Sequence, residues 1–348
     1  MAITRITTAN AIANSSVQNI KMSNIVQSKN IIINGDMSIA QRSTSVTGIT
    51  GQGYNTVDRY ATFLTTLGTW TQSQSTDVPT GQGFATSLKM DCTTADASPA
   101  AGDRLLIQQK IEGQNLQYIK KGTSDAESLT VSFWVKSNKT GTYIAELFDN
   151  DNTRQISKSY SISSANTWEK KTMTFAGDTS GTLGNDNGDS LILHLWLGAG
   201  TTYSSGTLST TWTSNTNANR AVGQVNLADS TSNEWYVTGV QLEAGTTASE
   251  FEFLPVDVNL RRCQRYFYRT VDTKEGGGAA YILGGQYATG GTVTFIHPVS
   301  PMRAEPSYTY TAIRTTSGLA NYLTEDVFSI YMTNTSPFIT GVKVDAEL

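Results

Sequence analysis

Residues 128–135 read Ser128-Leu129-Thr130-Val131-Ser132-Phe133-Trp134-Val135. Side chains of an extended chain alternate between its faces, so Leu129, Val131, Phe133 and Val135 share one side and Trp134 takes the other. Hydroxyl-bearing and aromatic residues suit a pleated, half-buried surface, and the stretch is a strand with one face in a core. Tyr143–Phe148, Trp168–Phe175, Leu191–Leu197 and Glu234–Leu242 read the same way. Turn-forming clusters bound them: Asn138–Gly141, Asp149–Asn152, Gly177–Gly188 and Gly198–Gly206. No helical stretch of convincing length lies between these strands. Parallel βαβ winding is therefore not expected, and an all-β sandwich or barrel is.

Composition agrees. Of 348 residues, 30 are Gly, 15 Tyr, 11 Phe and 6 Trp, and 16% are charged, too few for long amphipathic helices with wet faces. The length suggests about two domains, and a chain this long needs no disulfides or metal to hold a core. A net charge of −4 lacks the basic footprint of a nucleic-acid binder. Cys92 and Cys263 lie far apart in no metal-spaced motif and read as buried free thiols. No stretch approaches the ~20 apolar residues of a membrane helix, and the first residues lack a signal-peptide core. Synthesis in the cytoplasm without membrane insertion is expected, with any extracellular role reached by release from the cell.

Three segments follow along the chain. Residues 1–29 are polar, nearly uncharged, and punctuated by Ile3, Ile6, Ile12, Val17, Ile20 and Ile25. A solvated tail has no need of spaced Ile and Val, which favours an extended or partly helical arm that orders against a partner. Residues 30–256 carry the main β pattern, and Pro255 interrupts it within Phe253–Val258. Residues 257–348 read as a smaller C-terminal β domain with strands at Thr292–His297, Ser307–Ile313 and Val327–Met332. Its opening run, Asn259–Arg269, is strongly basic. It reads as a helical turn leading into a strand, a connector whose arginines bridge the two domains.

Catalytic constellations are hard to find. The two histidines, His194 and His297, are isolated, so no His-rich zinc motif is available. His194 falls on the strand face opposite Leu193 and Leu195, a polar or inter-subunit position. No Gly-x-Ser-x-Gly elbow, dinucleotide fingerprint or phosphate loop is present. Asp149 with Asp151, and Asp186 with Asp189, share turns and read as solvated or, less readily, as weak calcium sites. An EF-hand register would need acids at Leu183 and His194 and fails at both. No catalytic residue, cofactor or metal is expected. Trp70, Tyr203 and Trp212 stand in Thr- and Ser-rich surroundings and are the candidate glycan-stacking residues, packing under long loops or against a neighbouring subunit being the alternative.

A series of motifs carries a more specific likeness. Asn30-Ile-Ile-Ile-Asn34-Gly35-Asp36-Met37-Ser-Ile-Ala-Gln41-Arg42 precedes Val57-Asp58-Arg59-Tyr60 and Ile107-Gln-Gln-Lys-Ile111-Glu112-Gly113. Ser132–Ser137, Asn166–Lys171, Thr238–Gly245, Phe251-Glu252, Arg262–Tyr268 and Pro298–Pro306 follow in order. Together they resemble a jelly-roll domain of bacteriophage tail-fibre and other virion structural proteins. The resemblance implies a carbohydrate-binding-module-like, jelly-roll antiparallel β-sandwich without catalysis, in an oligomeric virion component. It transfers no ligand-contacting residue, since the shared motifs look like core and turn elements. Phe133 and Trp168 look like packing, and Asp58 with Arg59 a buried pair.

These readings give an expectation of a non-enzymatic tail fibre or fibre-like protein, a homotrimer exposed on the particle. Its arm would dock onto a tail adaptor, nozzle or capsid, and its β domains would bind host surface polysaccharide. A capsid decoration or head fibre without a host ligand is the alternative. A polysaccharide depolymerase is the more distant one, since it needs paired carboxylates roughly 5–10 Å apart and usually a repetitive β-helix.

Overall fold

The computed structural model describes residues 29–269, 291–296, 302–312, 320–323, 327–332 and 339–348. Residues 1–28, with Ile3, Ile6, Ile12, Val17, Ile20 and Ile25, lie outside the described residues, as do His297 and the Gly276–Gly285 run.

Two antiparallel sheets face each other. The six-stranded sheet runs β1 (Ser45–Ile49), β4 (Thr69–Ser75), β5 (Ser87–Thr94), β13 (Glu234–Ala244), β7 (Leu129–Ser137) and β10 (Glu169–Phe175). The seven-stranded sheet runs β12 (Thr213–Ser214), β9 (Arg154–Ile162), β8 (Gly141–Asp149), β11 (Asp189–Ala199), β6 (Arg104–Glu112), β3 (Ala61–Thr65) and β2 (Gly53–Tyr54). Sequential strands repeatedly switch sheets, which makes this a jelly-roll sandwich.

Alternation decides which side chains fill it. Leu129, Val131, Phe133 and Val135 of β7 point into the core with Leu191, Leu193, Leu195 and Leu197 of β11. The opposite face of β11 carries Ile192, His194 and Trp196, and these too are buried. The excursion after β11, with the one-turn helix Thr201–Ser204, lays Tyr203, Leu208 and Ala221 over Trp196, Leu106 and Ile144. Both faces of β11 are thus buried, which is why Leu191–Leu197 reads as a hydrophobic run broken only by His194.

The stretch Asn30–Arg42 is a strap pinned by side-chain amides. Asn30 donates to Val240 O at 3.0 Å and accepts from Leu242 N–H at 3.1 Å. Asn34 donates to Ile39 O at 2.8 Å and Asp58 O at 3.0 Å. Asn34 and Met37 adopt φ of 59° and 60°, and a Cβ on Gly35 would lie 2.1 Å from Val240 O. On β13, Gly239 has φ 63° where the pairing with β7 slips between Thr238 and Gln241, a bulge against which the Phe84 ring packs. The Asn-Gly-Asp-Met and Thr-Gly-Val-Gln motifs therefore meet at one seam and serve backbone geometry.

Asp58 and Arg59 are both buried but do not pair with each other. Asp58 accepts from Gln41 N–H at 2.9 Å and from its side-chain amide, and burial raises its pKa to about 6. Arg59, at φ 73°, turns to Glu347, donates to Lys110 O at 2.7 Å and stacks 3.4 Å from the Tyr266 ring centroid. Adjacent residues in opposed directions find different partners.

The basic run forms the helix Val256–Gln264 and strand β14 (Phe267–Arg269). Strand β14 pairs with β19 (Ile339–Asp345), which also pairs with β16 (Ser307–Ala312). A further sheet joins β15 (Gly291–Ile296), β18 (Val327–Met332) and β17 (Ala320–Leu323). Arg265 binds Glu112 of β6 at 2.8 Å, and Arg42 binds Asp345 at 2.9 Å, so arginines do bridge the early and late segments. Cys92 and Cys263 are buried free thiols.

Substituting Gly35→Ala forces its new methyl group into Val240 O, whereas Gly51 faces open space. Thermal or urea unfolding is expected to show Gly35→Ala destabilised by about 2 kcal/mol or more and Gly51→Ala by no more than ~0.5 kcal/mol. Equal effects would refute the strap as a close-packed seam.

Candidate functional site

Strands β3, β6 and β11 present their outer side chains to a cleft of about 480 Å³. Strand geometry sets the spacing. Leu106, Gln108 and Lys110 line it from β6, alternating with the inward Leu105, Ile107 and Ile111 except at Gln109, which bonds the Ile33 backbone. Phe63 of β3, Phe148 of β8, and Ile192 and His194 of β11 complete the floor. Arg104 and Arg220 enter from the sides, and Tyr54 stands at the rim, donating to Leu348 O at 3.2 Å.

Beneath the floor sits Glu146, fully buried on β8. Arg220 grips it as a fork, Nε to Oε1 at 2.8 Å and Nη2 to Oε2 at 3.0 Å. Trp196 Nε1 donates at 3.0 Å, and His194 Nδ1 lies 2.9 Å away. Burial alone would raise the Glu146 pKa, but the Arg220 charge and the bonds from His194 and Arg220 outweigh it and hold it down to about 2. Burial pulls the His194 pKa below its ordinary value. The group is an ionised carboxylate with its lone pairs occupied, which suits it to hold the floor and not to move protons. At the rim, Lys110 pairs with Asp189 at 2.8 Å.

Arg104 differs from these. Its guanidinium lies 4.2 Å from the Phe63 ring centroid and 4.8 Å from that of Tyr203, and it makes no ion pair among the described residues. A second hollow of about 590 Å³ lies between residues 30–33, Tyr118 and the helix Val256–Gln264. There Arg265 is committed to Glu112 and Gln109 to the Ile33 backbone.

The expected aromatic trio does not come together. Trp70 is fully buried in the sandwich core, its Nε1 donating to Leu67 O at 2.7 Å, and has no face for a sugar. Its Thr and Ser neighbours on β4 mark the strand's other side, which is why the local sequence looked wet. Tyr203 is buried against Trp196 and supports Arg104 from behind. Trp212 is half-buried near β9, donating to Ala176 O at 2.7 Å. The cleft residues Phe63, Arg104 and Arg220 escaped sequence reading. The available signal is that Ile192 and Trp196 make the second face of Leu191–Leu197 as hydrophobic as the first apart from His194.

The turn aspartates have structural partners. Asp149 is buried, and with Asp178 and the carbonyls of Ser180 and Gly181 it surrounds the Lys121 ammonium. That corrects the solvated reading, because the turn folds back over Lys121. Asp151 accepts from Gly184 N–H and Asp186 from Gly188 N–H, each at 2.8 Å. Among the described residues no group of three or more His, Cys, Asp or Glu could hold a metal ion. No helix among them is long and apolar enough to cross a membrane.

A carboxylate whose pKa falls from 4.5 to about 2 on folding adds stability above pH 4.5 that is lost as pH drops toward 2. The two ends of that window correspond to an upper bound of roughly 3 kcal/mol. Urea unfolding between pH 2 and 5 is expected to show this slope flattened in Glu146→Gln. An unchanged slope would mean that Glu146 is not held ionised.

No protein-family model and no curated protein matches the chain. Solved structures give distant likenesses. The enzymatically active domain of bacteriophage CBA120 tailspike protein 4 is 14% identical over 62% of this chain, with a TM-score of 0.33. This chain spans about a fifth of that one, 21%. A CBM4 structure is 11% identical, covering 62% of this chain and 99% of its own, with a TM-score of 0.31. The family 11 carbohydrate-binding module of Clostridium thermocellum is 11% identical, covering 61% and 95%, with a TM-score of 0.28.

Proposed function

We propose that this chain is a non-enzymatic structural protein of a bacteriophage particle, a tail fibre or fibre-like component that binds host surface polysaccharide. The observation that carries the glycan part is the cleft over β3, β6 and β11, where Phe63, Phe148 and Tyr54 offer ring surface beside Gln108, Asn150 and Lys110. Rings stack on the apolar faces of sugars, while amides and ammonium groups bond their hydroxyls. The phage part is supported by the resemblance of the ordered motifs, and the arm of residues 1–29 is the docking element. In the proposed homotrimer, three weak clefts gain avidity of ~10²–10⁴-fold.

Binding without hydrolysis is the reading the cleft favours. The side-chain carboxylate that lines it, Asp189, is engaged by Lys110, and Glu146 beneath the floor is buried and held by Arg220. A glycosidase needs one carboxyl group free to donate a proton and a second free to attack or to activate water.

The test is an array of host-type surface polysaccharides probed with the intact protein and with Phe63→Ala. Retention by the parent and about tenfold weaker retention by the variant is the expected outcome. No retention of any polysaccharide would refute host-glycan binding and leave the decoration reading. Sedimentation of the full chain beside one starting at Asn30 tests the arm. A trimer that becomes a monomer on truncation is expected, and two monomers would make the arm a docking peptide alone.

A further inference from the structure

Arg104 is the cation in the cleft that the fold leaves unspent. Lys110 is paired with Asp189, and Arg220 forks onto Glu146. Arg104 has neither an ion pair nor a side-chain hydrogen bond among the described residues. Its Nε is buried without a partner, so the unbonded terminal nitrogens are the ones open to the cleft. Phe63 and Tyr203 lie within cation–π distance of the guanidinium. Rings on the planar group restrict its orientation and leave its donor edge for a ligand.

A guanidinium edge held in this way suits an anion with two oxygens side by side. Two parallel N–H groups match the two oxygens of a planar carboxylate, and partial desolvation strengthens the contact. We infer that the cleft selects acidic polysaccharides, with Arg104 binding the carboxylate of a uronic acid or similar sugar while Phe63 borders the ring. This rests on the glycan-binding reading above and narrows it to a substrate class. Positions along β6 fit a chain ligand: Arg104, Leu106, Gln108 and Lys110 line the cleft at every second residue. Two residues of a strand advance roughly 6.6 Å, so Arg104 and Lys110 lie roughly 20 Å apart along β6. Arg104 and Lys110 therefore stand toward opposite ends of an extended ligand laid along β6.

The experiment prints uronic-acid-rich microbial polysaccharides beside their carboxyl-reduced forms, with phosphate-bearing polymers that lack carboxylates as a third set. The full chain, Arg104→Gln and Arg104→Lys are compared. The expected result is at least tenfold stronger retention of native over reduced polymer by the parent. Arg104→Gln should erase that gap while keeping the neutral binding, which also reports that it is folded. Arg104→Lys, which keeps charge without the fork, should restore only part of it. Equal retention of native and reduced polymer overturns the inference and leaves the glycan-binding reading standing. So does a gap that persists in both variants, or a preference for phosphate alone. Retention of nothing by the parent overturns both.

Discussion

A carboxylate buried in an apolar sheet carries a desolvation penalty of several kcal/mol unless every oxygen lone pair finds a donor. Glu146 imposes that condition here. Its position on β8 is fixed by strand alternation, since Ala145 and Leu147 must face the sandwich core. The donors then have to come from the outer side. Trp196 and His194 lie on the adjacent strand, and Arg220 arrives from the excursion between β11 and β13. Satisfying one charge therefore anchors a long connection against the sheet and raises a wall beside it. The cleft is the space that this wall leaves over β3, β6 and β11.

The same logic recurs where the late segments return to the sandwich. Arg59 is fully buried and meets Glu347, the Lys110 carbonyl and the Tyr266 ring. Glu112 is buried beneath Arg265 and Tyr266. Ion pairs of this kind contribute little net stability against an apolar alternative, but removing one partner strands the other. They are directional, and they fix where the helix Val256–Gln264 and β14 sit against β6. Because Lys110 lies on β6 and Tyr54 contacts Leu348, the end of the chain also borders the cleft.

Much of the architecture was legible in sequence because strand period and turn chemistry are local. The five strands read from alternation match β7, β8, β10, β11 and β13 within a few residues. The connector that begins helical and ends as a strand was readable from Asn259–Arg269. Strand β9 was not, since Arg154–Ile162 mixes Ser, Lys and Gln with its core residues Ile156 and Tyr160. The site was much less legible. Trp70 looked exposed from its neighbours but faces inward, because composition averages over the two faces that alternation separates. Arg104 and Phe63 are brought together only by the pairing of β3 with β6, where Phe63 stands opposite Leu106 and Thr65 opposite Arg104. Such register is a long-range property with no local sequence signature.

In the proposed function the outer face of the seven-stranded sheet is the ligand surface. Hydrogen exchange of the full protein, with and without a retained polysaccharide, maps that surface directly. The account predicts slowed exchange in Ala61–Thr65, Arg104–Glu112 and Asp189–Ala199, with little change in the six-stranded sheet or around Trp212. Protection concentrated near Trp212, or across β4, β5 and β13, with the cleft strands unchanged, would contradict it.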